Sequence, residues 1–337
     1  MNSSIPSALI TGGCGFIGLR LAEHLVESGT RVTLLDNSSR APLDDHARSL
    51  LRHPLVHHLG TDLAEDPLDD VASLTPTHVF HLAAIVGVRN VERRPLDVLR
   101  TNAVTTSRLI DVLRHSDTLQ RLVFFSTSEV HLGTTAAGAL AFPTPEEAPL
   151  ILPTLHHPRS SYALSKIYGE ALVHQSGLPA TVLRPHNVYG PRMGAAHVIP
   201  ELIRRIAAAQ DRQPLTITSP QYTRSFCHVD DAVRQIVAAA HSPLAVGRTF
   251  NVGNDSEEIT MLSLARRIAD VMGHHPELLP GEPQPHSPSR RCPDMTRLRD
   301  LTGVGATIPL TDGLRATAAF YTRPGALAAD HPDLIAP

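Results

Sequence analysis

Lysine is almost missing from this chain of 337 residues: among 30 basic positions only residue 166 is lysine, and every other one is arginine. Arginine is permanently charged and fork-shaped, whereas an ammonium is a compact point charge that can sit beside a phenol and lower its pKa. Lys166 stands four residues after Tyr162, a spacing that places both on one helix face. The pair reads as a proton-handling device.

Other shortages narrow the class of protein. Cys14, Cys227 and Cys292 are too few and too scattered for a disulfide framework or a zinc site, and the 20 histidines are dispersed without ligand spacing, so no metal is expected. The formal net charge of −3 recommends neither nucleic acid nor an anionic membrane, so an anionic ligand has to be met by locally placed arginines. No apolar run approaches the length of a membrane span, and the opening MNSSIPSALITGG has no basic signal-peptide start. A cytoplasmic protein is expected. Internal repeats and low-complexity tracts are also absent.

What is present is ample apolar material, 42% of the chain, in segments that alternate strand and helix periodicity. Strands are expected near 8–11, 31–36, 55–60, 77–82 and 120–126, with helices over 16–28 and 95–115. Repeated strand–helix units imply a parallel sheet covered on both faces. A loop from Phe142 to Pro158, interrupted by Pro143, Pro145, Pro149 and Pro153, delivers the chain to the helix carrying Tyr162. Beyond it are expected a strand at 180–184, a helix near 198–210, short strands near 214–218 and 223–228, a helix over 229–241, a strand at 248–252 and a helix over 260–272. The proline-rich stretch 276–293 is expected to be extended.

The first strand runs into Gly12, Gly15 and Gly18 and then a helix. Glycine is needed where the turn is tight and where backbone approaches a pyrophosphate, which the helix N-terminus receives with oriented N–H groups. At the end of the second strand Asp36 can accept both ribose hydroxyls and repel a 2′-phosphate, which favours NAD over NADP. Asp62 either reaches an adenine amino group or caps the following helix. His81, Leu82, Ala83 and Ala84 end the fourth strand in small residues that let backbone lie against a cofactor, or simply pack tightly.

With Phe125-Ser126-Thr127-Ser128-Glu129-Val130, Leu183 to Arg192, Thr223 to Phe226 and Arg290 to Asp294 added to these motifs, the chain resembles the extended short-chain dehydrogenase/reductase family. The resemblance is to its nucleotide-sugar epimerases, dehydratases and decarboxylases, and it runs from Thr11 to Pro293. It implies an α/β fold with a Rossmann-type doubly wound parallel sheet over 1–184, to which 229–256 return, and a smaller C-terminal α/β substrate-binding domain over 185–228 and 257–330. NAD is the implied cofactor, held also by Phe16, Ile17, Asn37, Leu63, Asn102 and Pro185. A UDP-sugar is the implied substrate, with Asn187, Arg192 and Arg224 at the diphosphate, Thr216 and Ile217 at the uracil and Arg291 at the sugar. A homodimer through a four-helix bundle of the helices near 95–115 and 158–177 is implied as well.

The same resemblance gives the reaction's first step. Tyr162, kept towards phenolate by Lys166, takes the proton of the sugar 4-hydroxyl while hydride leaves C4, and Thr127 bonds the same oxygen. The next step turns on Ser128 and Glu129. A 4,6-dehydratase carries aspartate and then glutamate after the threonine, and a serine hydroxyl is too weak an acid to expel the 6-hydroxyl, so dehydration is disfavoured. Threonine, serine, glutamate is the pattern of the UDP-glucuronate decarboxylases, in which oxidation at C4 creates a β-keto acid. The product would be UDP-xylose or the UDP-4-keto-pentose, with a UDP-sugar 4-epimerase as the alternative and a catalytically silent NAD-binding module as the third reading. Three departures alter the expected pocket: His131 for a tyrosine, His186 for a phenylalanine, and Pro220-Gln221-Tyr222 where glycines and an acidic residue are common.

Overall fold

Seven strands form the central sheet of the computed structural model, which describes residues 7–39, 43–152, 154–209, 214–284 and 287–323. Pro153, residue 210 of the expected helix and residues 324–330 of the expected second domain lie outside them. In chain order the strands are β1 (Ser7–Thr11), β2 (Arg31–Leu35), β3 (Val56–Leu59), β4 (His78–His81), β5 (Arg121–Phe125), β6 (Ala180–Pro185) and a last strand Thr249–Val252. All pair in parallel, in the order last strand, β6, β5, β4, β1, β2, β3. The order reverses direction between β1 and β4, which is where a doubly wound sheet opens a crevice at its C-terminal edge.

Both faces of the sheet are covered, which is why its strands read as apolar runs; β5, Arg-Leu-Val-Phe-Phe, is buried along its whole length. On one face the helices Phe16–Glu27 and Val229–His241 bring Leu19, Leu21, Val233 and Ile236 against Ile10, Leu34, Phe80 and Val123. On the other, Pro95–Leu113 and Arg159–Gln175 bring Leu109, Leu113 and Val173 against Leu9, Val79, Phe124 and Val182. A third apolar cluster joins Ile199, Leu202, Leu264, Ile268 and Leu314 from the helices Val198–Ala208, Met261–Met272 and Leu310–Tyr321. Among the described residues no helix is long and apolar enough to cross a membrane.

The helices Asp45–Leu50, Val88–Arg93, Thr296–Thr302 and Leu310–Tyr321 were not among the sequence expectations. The first three are single or double turns, too short to show a period. Leu310–Tyr321 does repeat, burying Leu310, Leu314, Thr317 and Tyr321, but Gly313 interrupts it. A Cβ at residue 313 would run into the Tyr189 ring, so this glycine is a packing residue rather than a helix stop. The stretch 276–293 is extended where described: Leu278–Pro280 pairs with Leu215–Ile217, and Arg290–Arg291 pairs with Thr223–Ser225.

Candidate active site

The site begins at the crevice between β1 and β4. Gly12 has φ +68°, and a Cβ on it would lie 2.9 Å from the Ala83 backbone nitrogen. A Cβ on Gly18 would strike the Gly12 carbonyl oxygen. The loop therefore lies flat against the end of β4, and the helix beginning at Phe16 packs onto the loop. No side chain caps that helix and no acidic residue stands in its first turn, so its N-terminal amides are open to an anionic ligand. Asp36 is turned across the loop: its carboxylate accepts from the Cys14 N–H at 3.0 Å and from the Ser38 N–H at 2.8 Å. Asp62 follows β3 in a loop, where its carboxylate accepts from the Asn37 side-chain amide at 2.7 Å and from the Ala64 N–H at 2.8 Å. Arg108 ties that loop down by donating to the Leu63 carbonyl at 2.9 Å.

Behind the glycine loop is a buried polar chain that local sequence patterns do not reveal. Thr11 Oγ1 lies 2.7 Å from His81 Nδ1, and His81 Nε2 lies 3.1 Å from Thr106 Oγ1. The Ala83 N–H also donates to Thr11 at 3.1 Å. Burial, with a smaller push from Lys166, lowers the His81 pKa to about 3, so the ring is neutral and bridges two hydroxyls. One turn before Thr106 on the same helix, Asn102 accepts from the Ile85 N–H at 2.7 Å and donates to the Ile85 carbonyl and to Ser165. Asn102 thus joins the end of β4 to the helix carrying Tyr162 and Lys166. It acts on the crevice through backbone.

Lys166 is buried, with Nζ donating to the Phe125 carbonyl at 2.8 Å and lying 5.1 Å from the Phe124 ring centroid. Burial lowers its pKa to about 8, against a smaller opposing pull from Glu170. Glu170 cannot fully stabilise the ammonium because its carboxylate is already taken. Arg184 grips it in bidentate fashion at 2.8 and 2.7 Å, and the Ser126 hydroxyl donates to it at 2.5 Å. Tyr162 is half-buried on the same helix, and Thr127 heads the turn Ser128–His131 by accepting from the Glu129 N–H at 3.2 Å.

Glu129 is the centre of the other half of the site. One carboxylate oxygen accepts from Arg291 and the other from Arg159 Nη2 at 3.4 Å. Burial raises its pKa, but the charges of Arg291 and Arg159 outweigh it and hold the carboxyl below its ordinary range. Arg291 sits on the strand Arg290–Arg291 directly opposite Arg224. Arg224 donates to the carbonyls of Thr223 and Pro288 and to Ser287, and burial, then Arg291, lowers its pKa to about 10. Ser128, Glu129, His131, Phe142, His186 and Arg291 line a small cavity of about 20 Å³.

The two histidine departures fill the floor of this region. His131 Nε2 lies 3.4 Å from Arg184 Nη1, so it faces a cation and its Nδ1 carries the proton. His186 Nε2 lies 3.0 Å from Asn251 Oδ1, whose amide nitrogen donates to the Thr144 and Asp294 carbonyls, so Nε2 carries the proton there. Nδ1 of each ring is buried without a hydrogen-bond partner among the described residues, and burial lowers the two pKa values to about 4 and about 3.

Other expected substrate residues are placed as follows. Asn187, at φ +40°, donates to the Ser225 carbonyl at 2.9 Å. The Thr216 carbonyl accepts from Arg205, and the Ile217 carbonyl from the Gly281 N–H. Arg192 turns to Asp44 at 2.8 Å, close enough to the glycine loop to act on Cys14. Arg159 and Glu170 had not been singled out in the sequence, and Thr11, His81 and Arg184 stood there only as members of longer motifs; they act through partners outside those motifs, and of the first two only Arg159 had a signal, its place at the start of the tyrosine helix.

Comparison with known proteins fits this geometry. Residues 8–253 match the NAD-dependent epimerase/dehydratase family. A UDP-N-acetyl-alpha-D-glucosaminuronate decarboxylase of Bacillus cytotoxicus is 30% identical, the match covering 93% of this chain and 97% of the relative. A UDP-glucose 4-epimerase of Mycolicibacterium smegmatis is also 30% identical, over the same shares of the two chains. Among solved structures, the UDP-glucuronic acid 4-epimerase of Bacillus cereus, in complex with UDP-glucuronic acid and NAD, superposes with a TM-score of 0.82 at 26% identity, covering 94% of this chain and 98% of that one.

Proposed function

The chain belongs to the NAD-dependent epimerase/dehydratase family, and on that premise we propose that it decarboxylates a UDP-hexuronate, turning UDP-glucuronate into UDP-xylose or the UDP-4-keto-pentose. NAD is its cofactor, and when bound it would supply the acceptor for hydride from the sugar C4 and, where UDP-xylose is the product, the hydride returned to C4. The flat glycine loop, the uncapped helix and the Asp36 carboxylate fit a dinucleotide with a free ribose diol. Tyr162 takes the proton of the 4-hydroxyl, Thr127 bonds the same oxygen, and Lys166 favours the phenolate.

The observation that carries the decarboxylase reading is Glu129 held between Arg291 and Arg159, beside Ser128. Arg291 grips the substrate carboxylate, which becomes a β-keto acid once C4 is a ketone, and the bond from C5 to C6 then breaks with its electrons moving into an enolate. A carboxyl kept below its usual pKa is a poor proton donor, so Glu129 orients the sugar while water, relayed past Ser128, protonates C5. Ser128 remains too weak an acid to expel a 6-hydroxyl, which argues against dehydration.

A second reading, 4-epimerisation of the same acid sugar, is favoured by the likeness to the Bacillus cereus enzyme and needs no bond cleavage at C6. Incubation with UDP-glucuronate and NAD, followed by proton NMR and carbon dioxide capture, separates the two. Gas with a UDP-pentose is the expected result; UDP-galacturonate without gas selects the epimerase. We also infer a homodimer through the helices Pro95–Leu113 and Arg159–Gln175, on which Leu96 and Tyr168 stand exposed. Asn187, Arg224 and Arg291 would face the UDP-sugar, whereas Arg192 would act at the rim through Asp44.

A further inference from the structure

Arg159 opens the helix that carries Tyr162 and Lys166, and its guanidinium reaches the Glu129 oxygen that Arg291 does not hold. Both members of this pair are largely shielded, with side-chain exposures of 15% and 17%. Glu129 therefore has two seats. Resting on the proposed acid-sugar reading, we propose that Arg159 is a positioning residue that retains Glu129 when a substrate carboxylate takes its place on Arg291.

The chemistry requires some such seat. A carboxylate entering the pocket and the carboxylate of Glu129 compete for one guanidinium, and a displaced Glu129 without a counter-charge would be an unpaired anion in a largely shielded position. Of the other charges nearby, Arg224 donates to the Thr223 and Pro288 carbonyls and to Ser287, and Arg290 pairs with Glu258. His131 faces Arg184 and His186 faces Asn251, both uncharged. Among these described groups Arg159 alone already bonds the second oxygen. It also ties the turn Ser128–His131 to the tyrosine helix, so the exchange leaves Thr127 and Tyr162 in register.

A neutral sugar makes no such demand, and this gives the test. Binding of UDP-glucuronate and of UDP-glucose to the NAD-loaded enzyme is measured by calorimetry for the wild type, Arg159→Gln and Arg159→Lys. The expected result is a tenfold or greater loss of UDP-glucuronate affinity in Arg159→Gln, UDP-glucose affinity unchanged within twofold, and partial rescue by lysine. Equal losses for both ligands, or no loss for either, overturn the proposal. Carbon-13 titration of the Glu129 carboxyl, assigned with Glu129→Gln, tests the hold independently of any reaction. Its pKa should rise in Arg159→Gln, and an unchanged value overturns the proposal. A wild type that binds both sugars equally but shows that rise sinks the acid-sugar reading and the exchange built on it, while the Arg159 hold on Glu129 stands.

Discussion

The two halves of the site are made in different ways. At the crevice between β1 and β4 the working surface is backbone, held flat by missing side chains at Gly12 and Gly18 and braced from behind by the neutral chain Thr11, His81, Thr106. At the far half the working surface is charge: Glu129 between Arg159 and Arg291, with Arg224 opposite and the Arg184–Glu170 pair beneath Lys166. The first half is set by close backbone contacts and neutral hydrogen bonds. The second is a balanced set of ion pairs that a charged ligand can rearrange, which is suited to telling one sugar from another.

That difference yields graded tests. Lys166→Arg should have the largest effect, lowering turnover by about a thousandfold, because a guanidinium cannot occupy the buried seat between Phe124 and the Phe125 carbonyl. Single-turnover reduction of the cofactor measures it, and near-normal rates would mean the seat is not specific for lysine. Gly18→Ala comes next, since its Cβ meets the Gly12 carbonyl. Overpacking of this kind costs about 1–3 kcal/mol, seen as a lowered Tm together with at least tenfold weaker NAD binding. A variant that keeps both would show the glycine loop to be looser than its contacts indicate.

The effect on activity is smallest for a pH dependence, which is read in stability instead. His81, His131 and His186 have pKa values pulled down to about 3, 4 and 3 from an ordinary 6.5, so between those values and 6.5 the unfolded chain binds more protons than the folded one. Their contribution to stability is complete above pH 6.5 and is lost as pH falls towards the folded values. At pH 5 the loss is on the order of 2 kcal/mol per ring. Thermal melts should therefore fall steeply between pH 6.5 and 4, and His186→Phe should flatten the slope. An identical slope would mean that this ring is charged in the folded protein.

The same contrast explains what could be read from sequence. The glycine loop, Asp36, the alternation of strand and helix, and the tyrosine–lysine pair are local patterns, and each lies within a few residues of its own partner or element. The Glu129–Arg291 pair joins residues 162 positions apart, and the brace of the glycine loop joins residues 70 apart. No local spacing encodes such pairs. Family resemblance pointed to Arg291 but not to Arg159, and Gly313, inside the helix Leu310–Tyr321, packs against Tyr189, 124 positions away.

On the proposed reading Glu129 separates the two halves chemically: oxidation at C4 would belong to Tyr162 and Lys166, and loss of C6 to the arginine-held glutamate. UDP-glucuronate carrying carbon-13 at C6 would be given, with NAD, to the wild type and to Glu129→Gln while labelled carbon dioxide and reduced cofactor are followed together. The wild type should release label, and the variant should still reduce cofactor but release label about a hundredfold more slowly. Undiminished release from Glu129→Gln, or a wild type that makes UDP-galacturonate and no labelled gas, would contradict the assignment.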